Sequence, residues 1–152
     1  VLDALIGNTD RHHENWGILV KRTAKARRYM IAPSFDHASS LGRELLDESK
    51  GKCRVRILNE NRIGQYAENA PGAIYWDVDD RKGVSPLDLV RRAAKLHPRM
   101  FRQAFLQLDK LEKEKLERIV GRVPPSWMSN LARQFTIELV CYNLRKLKEI
   151  AL

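Results

Sequence analysis

The sequence predicts a mainly α (α+β) fold, with one small β-hairpin near the beginning and a helical C-terminal half. Two observations lead to this prediction. Two short runs of β-branched and aromatic residues, 17–20 and 29–31, flank a basic polar turn, which is typical of a hairpin. After Gly83 the apolar residues recur at helical spacing behind helix start signals, which indicates several packed helices.

Composition and charge limit the class of protein. The 152 residues, 43% of them apolar, suffice for one domain, 1–152, with its own core. A net charge of +9 favours anionic partners such as nucleotide phosphates, nucleic acid or an acidic protein. Cys53 and Cys141 are too few for a disulfide framework and fit a reducing compartment. Since no apolar run approaches the roughly 20 residues that cross a bilayer, we expect a cytoplasmic protein without membrane contact.

The most informative segment is the polar loop 6–15, which follows the end of an amphipathic helix over residues 1–6. It reads Ile-Gly-Asn-Thr-Asp-Arg-His-His-Glu-Asn. Asp10 and Asn15 have the spacing Asp-x-x-x-x-Asn, which phosphotransfer enzymes keep between a base and a metal-binding amide. The carboxylate can orient an incoming hydroxyl, and the amide oxygen can hold Mg²⁺. The loop therefore predicts half of a phosphotransfer site.

The other half is predicted in residues 32–36, Ala-Pro-Ser-Phe-Asp. Phosphoryl transfer needs a hard oxygen ligand between the metal and the phosphates, and Asp36 supplies a carboxylate. A hairpin over residues 17–31 would return Asp36 beside Asn15. The order of loop, hairpin and acidic motif therefore predicts one shared cation site.

Together, the segments Ile6-Gly7-Asn8-Thr9-Asp10-x-His12-x-x-Asn15 and Ala32-Pro33-x-Phe35-Asp36 resemble the catalytic and metal loops of the HipA-like serine/threonine kinases of bacteria. The resemblance implies the C-terminal lobe of a protein kinase, with Asp10 as the catalytic aspartate. The magnesium ligands that it implies are Asn15 and Asp36. The nucleotide-binding residues would be His12, Asn15, Phe35 and Asp36, with Asn8 and His37 supporting the two loops.

The same resemblance implies ATP and Mg²⁺ as cofactors and transfer of the γ-phosphate to a protein hydroxyl. The expected partners are ATP, a protein substrate and, as in toxin-antitoxin systems, an antitoxin-like helix-turn-helix protein with DNA bound through it. The sequence contains no glycine-rich phosphate loop and no Val-Ala-x-Lys strand, which kinase N-terminal lobes normally provide. We therefore expect a C-terminal lobe whose N-terminal lobe is absent from these residues.

Three alternatives remain open. The loop Asp10-Arg11-His12-x-x-Asn15 is also similar to that of lipid kinases, which share the chemistry but use another acceptor. A non-catalytic lobe could bind DNA or a protein through its basic turn, which contains Lys21, Arg22, Lys25, Arg27 and Arg28. A zinc or iron site could use His12, His13 and His37 with Asp10, Glu14 and Asp36, although adjacent histidine side chains diverge in most backbone conformations.

The rest of the chain reads as structural. Residues 39–83 have poor periodicity and predict a connector with one or two short helices, whose aromatic residues Tyr66, Tyr75 and Trp76 cover the core with Ile74. Ser85 and Pro86 then predict a helix start. The predicted inward faces of the following helices are Leu87, Val90 and Ala94, then Met100, Phe101, Phe105 and Leu108, then Leu116, Ile119 and Val120. A last helix, capped near Ser126, would bury Met128, Leu131, Phe135, Leu139, Tyr142, Leu147 and Ile150.

Overall fold

The computed structural model describes residues 1–24 and 26–151. In chain order its elements are α1 (Leu2–Ile6), a 3₁₀ turn (His13–Asn15), β1 (Ile18–Arg22), β2 (Arg27–Ile31), α2 (Arg54–Asn59), α3 (Ile63–Glu68), α4 (Pro86–Leu96), α5 (Pro98–Leu108), α6 (Lys113–Gly121) and α7 (Asn130–Ala151). The architecture is the predicted one, with a small hairpin near the beginning and a helical second half. In the part of the chain that the structure describes, no helix is both long and apolar enough to span a bilayer.

Helix α7 is the centre of the core, because it contacts each of the other six helices. Phe135, Leu139 and Leu147 are fully buried on it, and their spacing of four and eight residues keeps them on one side of the helix. Since burial of a leucine or phenylalanine side chain contributes roughly 1.5–3 kcal/mol, these residues are a large part of the stability of the fold.

The short helix α1 lies directly on α7. It ends at Gly7, whose φ of 64° is the left-handed conformation that glycine adopts without strain. The amide Nδ2 of Asn143, a buried residue of α7, donates a hydrogen bond of 3.2 Å to the carbonyl oxygen of Leu5. The polar loop that follows Gly7 therefore begins at a point fixed by the core.

Strands β1 and β2 form the predicted antiparallel hairpin, with Ile18 opposite Ile31 and Arg22 opposite Arg27. Every residue of both strands is exposed, which distinguishes the hairpin from an ordinary half-buried sheet. Its uncovered apolar side chains lie on both faces: Ile18, Leu19, Val20, Tyr29, Met30 and Ile31. This hairpin leaves the helical body beside the polar loop and carries an apolar surface that none of the other described residues covers.

The connector holds two short helices, α2 and α3, as the sequence predicts. Tyr66 of α3 packs edge-on against Phe135 at a ring separation of 5.3 Å and is part of the core boundary. The prediction that the neighbouring aromatics cover the core is wrong for Tyr75, which is 58% exposed. It also overstates the burial of Trp76, because the ring lies at the surface against Arg92.

Helix α4 begins where predicted, but the start of α7 and some of the predicted inward faces differ. The hydroxyl of Ser85 accepts a hydrogen bond from the amide of Asp88 at 3.2 Å, and Pro86 occupies the first turn of α4. Met100 and Ile119, which we expected to be buried, are largely exposed because α5 and α6 pack along only a narrow stripe. The cap of α7 is Ser129 rather than Ser126, with its hydroxyl accepting from the amide of Ala132 at 3.0 Å.

Candidate functional site

The candidate site begins with the loop after α1, where buried Asn8 fixes the backbone. Its amide Nδ2 donates to the carboxylate of Asp3 at 2.8 Å, and its Oδ1 accepts from the backbone amide of Asp10 at 3.1 Å. Both ends of the Asn8 side chain are therefore paired, as burial of an amide requires. The Asp10 side chain remains about half exposed and can reach a ligand above the loop.

Asn15 closes the same loop. Its Nδ2 donates to the carbonyl oxygen of Asp10 at 2.7 Å, and the residue is only 5% exposed. This bond leaves Oδ1, the atom that a hard cation prefers, without a protein donor among the residues that the structure describes. His12 braces the intervening 3₁₀ turn, because its Nδ1 accepts from the amide of Glu14 at 3.2 Å.

The orientation of His12 follows from that hydrogen bond. Since Nδ1 is the acceptor, Nε2 of the neutral ring carries the hydrogen, and this atom lies 3.8 Å from Oδ1 of Asp10. The ring of His12 is thus close to the carboxylate of Asp10, and the rings of His12 and His13 are inclined at 58° to each other.

The second loop contains Phe35, Asp36 and His37. Asp36 has a φ of 50°, which is unusual for a residue with a side chain, and its carboxylate is exposed. Phe35 is 45% exposed beside it. Ser40 fixes the end of this loop, because its hydroxyl donates to the carbonyl oxygen of His37 at 2.6 Å. The hydrogen bond between Ser40 and His37 therefore stabilises the segment in which Asp36 has this unusual backbone conformation.

Backbone hydrogen bonds join the two loops at their bases. The amide of Leu41 donates to the carbonyl oxygen of Ile6 at 2.9 Å, and the amide of Thr9 donates to that of Ser39 at 3.3 Å. The hairpin between the loops is closed at its own base, where the amide of Ala32 donates to Gly17 at 2.8 Å. The chain segments that carry Asn15 and Asp36 are thus brought side by side.

Arg11 connects the two loops through its side chain. Its Nη1 donates to the carbonyl oxygens of Asn15 and, at 2.8 Å, of Phe35. Its Nη2 contacts Nδ1 of His37 at 3.1 Å, and its remaining donors bind the carboxylate of Asp3. The side chain is only 12% exposed. One guanidinium group therefore holds the loop of Asn15 and the loop of Asp36 together.

The charges of this centre perturb the pKa of two groups. The hydrogen bond to Asp3 raises the pKa of Arg11, and the negative charges of Asp36 and Asp10 add to that effect. Burial alone would raise the pKa of Asp3, but the hydrogen bonds from Arg11 and Asn8 outweigh it, so the pKa lies below its ordinary value. Both carboxylates of the predicted site thus lie near enough to Arg11 for their charge to act on it.

The donor set suits Mg²⁺ better than a transition metal. Asn15 and Asp36 offer an amide and a carboxylate oxygen, and Mg²⁺ is usually held by one or two such protein oxygens together with substrate phosphates. Over residues 1–24 and 26–151, no group of three or more His, Cys, Asp and Glu side chains comes together as a metal site would require. The zinc or iron alternative therefore finds no support in the geometry.

Two other features lie outside this centre. A cavity of about 360 Å³ between α2 and α3 is lined by Lys52, Arg56 and Tyr66 among others, and not by Asp10, Asn15 or Asp36. The basic turn lies at the far end of the hairpin, with Lys21 opposite Arg28. Lys25, which we predicted as part of this turn, is outside the described residues.

The sequence reasoning missed Arg11 and Asp3. The two residues are eight positions apart along the chain and belong to different elements, so neither helical nor strand spacing relates them. The one available signal was a basic residue directly after the predicted catalytic aspartate, in a loop where an unpaired cation would oppose metal binding. That signal indicates an acidic partner without identifying it.

Comparison with known proteins agrees with this geometry. No protein-family model matches the chain. The serine/threonine-protein kinase CtkA of Helicobacter pylori is 27% identical over 152 aligned residues. The match covers 99% of this chain and 43% of that kinase. The crystal structure of the proinflammatory kinase CtkA from the same organism superposes with a TM-score of 0.62 at 25% identity, over 98% of this chain and 50% of the other.

The chain thus spans about half the length of the kinase that it matches. The match extends through the candidate site and the helices behind it, because it covers nearly the whole chain. These similarities support a kinase-like transferase, although this chain covers only part of that kinase, and the structure matches the fold of the part that it covers.

Proposed function

We propose that this chain is the C-terminal catalytic lobe of an ATP-dependent serine/threonine-protein kinase of HipA type, which transfers the γ-phosphate of ATP to a protein hydroxyl. One observation carries the proposal. The loop with Asp10 and Asn15 and the loop with Asp36 are held together by Arg11, on a chain similar to a serine/threonine kinase. The contacts of Arg11 with the backbone of Asn15 and of Phe35 support the proposal, because they join the two segments that carry the proposed side chains.

Each residue then has a defined task. Asp10 accepts a hydrogen bond from the substrate hydroxyl and orients its oxygen towards the phosphate, a role that fits its half-exposed carboxylate. Asn15 and Asp36 hold Mg²⁺, which neutralises charge on the phosphates when it is bound. His12 and Phe35 border the nucleotide, and Asn8 and His37 keep the two loops in shape.

The exposed hairpin supports the proposal that an N-terminal lobe completes the enzyme. Apolar side chains on both faces of a two-stranded hairpin, such as Ile31 at 80% exposure, are costly to leave in water. A second lobe packed on this surface would cover them and enclose the nucleotide beside Phe35. Such a lobe would also supply the lysine that binds the phosphates.

Substitution of Asp10 tests the proposal. In the complete protein, Asp10→Ala should abolish phosphate transfer from labelled ATP while leaving the melting temperature unchanged, because the carboxylate is exposed and contributes little to the core. Glu14→Gln is the matched control, since Glu14 is a more exposed carboxylate of the same loop, and it should retain transfer. Undiminished transfer by purified Asp10→Ala would refute the role given to Asp10.

The acceptor needs its own experiment, because a lipid kinase could use the same Asp10, Asn15 and Asp36 arrangement. The complete protein should be incubated with labelled ATP and either lysate proteins or phosphoinositides. Labelled protein with unlabelled lipid supports the proposed acceptor class. Labelled phosphoinositide would favour the lipid-kinase alternative, with the same residues in the same roles.

A second candidate function is binding of an anionic partner, such as DNA, at the tip of the hairpin. The strand register places Lys21 opposite Arg28 and Arg22 opposite Arg27. Like charges directly opposite each other destabilise a strand pair, so this arrangement suits a surface that receives negative charge. A mobility shift with DNA that weakens steeply with salt, and that Arg27→Ser/Arg28→Ser removes, would support this function.

A further inference from the structure

We propose that Arg11 is a positioning residue, which sets the separation between Asn15 and Asp36 and thereby the affinity of this pair for a divalent cation. The inference rests on the proposed function, since it concerns the same site. Arg11 would contact neither the phosphates nor the cation. It would act on the site only by holding the two loops in position.

The first argument is that the guanidinium of Arg11 is fully used. An arginine side chain has five N–H donors, and here all five have acceptors. Two bind the carboxylate of Asp3 at 2.8 and 3.0 Å, two bind the carbonyl oxygens of Asn15 and Phe35, and one faces Nδ1 of His37 at 3.1 Å. Arginine side chains are mostly exposed to solvent. The side chain of Arg11 is only 12% exposed and has an acceptor for every donor, which indicates a structural role at this site.

The second argument is where those acceptors are. Nη1 contacts the backbone of Asn15 itself and the backbone of Phe35, the residue directly before Asp36. A single nitrogen atom therefore joins the backbone segments that carry the two proposed ligands. Mg²⁺ requires near-octahedral geometry at about 2.0–2.1 Å, so a small drift of one loop would lose a ligand. Contacts that hold metal ligands in position usually change metal affinity by about 10–100-fold when they are removed.

The third argument concerns charge. A positive guanidinium beside Asp10 and Asp36 would repel the cation that these carboxylates attract. The bidentate contact with Asp3 offsets that charge, and Asp3 is itself held by Asn8 at 2.8 Å. Arg11 and Asp3 therefore form a neutral pair that supplies hydrogen bonds without adding net charge. Lysine could not replace Arg11, because its three donors start from one atom and cannot reach both loops and Asp3 together.

The test measures Mn²⁺ binding by electron paramagnetic resonance, on the complete protein with a non-hydrolysable ATP analogue, together with phosphate transfer at varied Mg²⁺. Arg11→Met and Arg11→Lys should each weaken Mn²⁺ binding about tenfold or more. Both should lower kcat by about 100-fold, the usual effect of a small misplacement of reacting groups. Asp3→Asn, which keeps the shape of the side chain but removes its charge, should weaken Mn²⁺ binding as well.

Arg54→Met is the matched control. Arg54 is 13% exposed, binds Asp47 at 2.8 Å and donates to the carbonyl oxygen of Gly42 at 2.9 Å, so it is a comparable guanidinium pair outside the site. Its loss should lower the melting temperature without changing Mn²⁺ affinity. An equal loss of Mn²⁺ affinity in Arg54→Met and Arg11→Met would overturn the proposal, because the effect would then be general.

The remaining outcomes separate the inference from the function on which it rests. Wild-type protein that transfers phosphate, with Arg11 variants that bind Mn²⁺ as tightly as wild type, would overturn the inference and leave the function standing. Wild-type protein that neither transfers phosphate nor binds Mn²⁺ with nucleotide would overturn both. Should Arg11→Met fail to fold, Arg11→Lys and Asp3→Asn decide by the same two measurements.

Discussion

Gly42 is a position where one added methyl group should cost much stability, because the added group would meet both a left-handed backbone and a buried ring. It lies six residues after Asp36, has a φ of 66°, and a Cβ placed on it would lie 2.4 Å from Cε1 of Phe135. The ring of Phe135 is fully buried and cannot move aside, and the carbonyl oxygen of Gly42 is itself held by Arg54 at 2.9 Å. Neither partner in the clash is free to shift.

The cost of Gly42→Ala has two parts. A left-handed backbone costs a residue with a Cβ about 1–2 kcal/mol, and forcing an extra methyl into a packed core costs about 1–3 kcal/mol. For a domain of this size each kcal/mol lowers the melting temperature by about 2–4 °C, so we expect a decrease of about 4–20 °C. Thermal unfolding of the complete protein, followed by tryptophan fluorescence, measures it.

Two further variants separate these parts. Gly17→Ala is the control, because a Cβ on Gly17 meets no atom within 4 Å, and its melting temperature should match that of wild type. In a Phe135→Leu background the clash is relieved, and Gly42→Ala should then cost only the backbone part of about 1–2 kcal/mol. A melting temperature for Gly42→Ala equal to that of Gly17→Ala would refute the reasoning.

Two other predictions concern alkaline stability and nucleotide affinity. Burial, with a hydrogen bond to Glu44, raises the pKa of Tyr66, so above about pH 10 the unfolded chain loses this proton first and stability falls. Tyr66→Phe should flatten that decline in unfolding curves from pH 9 to about pH 11, and an unchanged slope would contradict the assignment. Residues 1–152 expressed alone should bind ATP weakly in calorimetry, because the hairpin beside Phe35 is uncovered; tight binding would disprove the need for a second lobe.

Local features of the fold were predictable from the sequence because local chemistry determines them. Ser85 and Pro86 start α4 as expected, since a hydroxyl cap and a proline act within one turn. The hairpin follows from two short β-branched runs around a polar turn. Burial was less predictable: Met100 and Ile119 have helical spacing, but spacing defines a face and not how much of that face a neighbour covers.

The candidate site was predictable only in part. The motif spacing predicts Asp10, Asn15 and Asp36 as the reacting groups, because a short loop keeps Asp10 and Asn15 at a fixed separation and a hairpin returns Asp36 to them. Arg11 could not be identified in the same way, since its partners range from Asp3 to His37 and meet only after the hairpin has closed. The proposed reacting groups can therefore be predicted from motifs along the sequence, whereas the contacts that align them depend on the tertiary fold.

The loop of Asp10 is held in position by its contacts with the core helix α7. A Cβ on Gly7 would lie 3.4 Å from Cδ2 of Leu139, and Asn143 binds the carbonyl oxygen of Leu5, so the loop of Asp10 begins in direct contact with α7. Arg11 then fixes the loop laterally, whereas the hairpin on its other side is exposed on both faces. A site that is held by α7 and Arg11 but is exposed beside the hairpin can align a cation and a hydroxyl. It needs a further part of the protein to exclude water. That requirement links the geometry of Arg11 to the proposed N-terminal lobe, because alignment and enclosure would come from different parts of the protein.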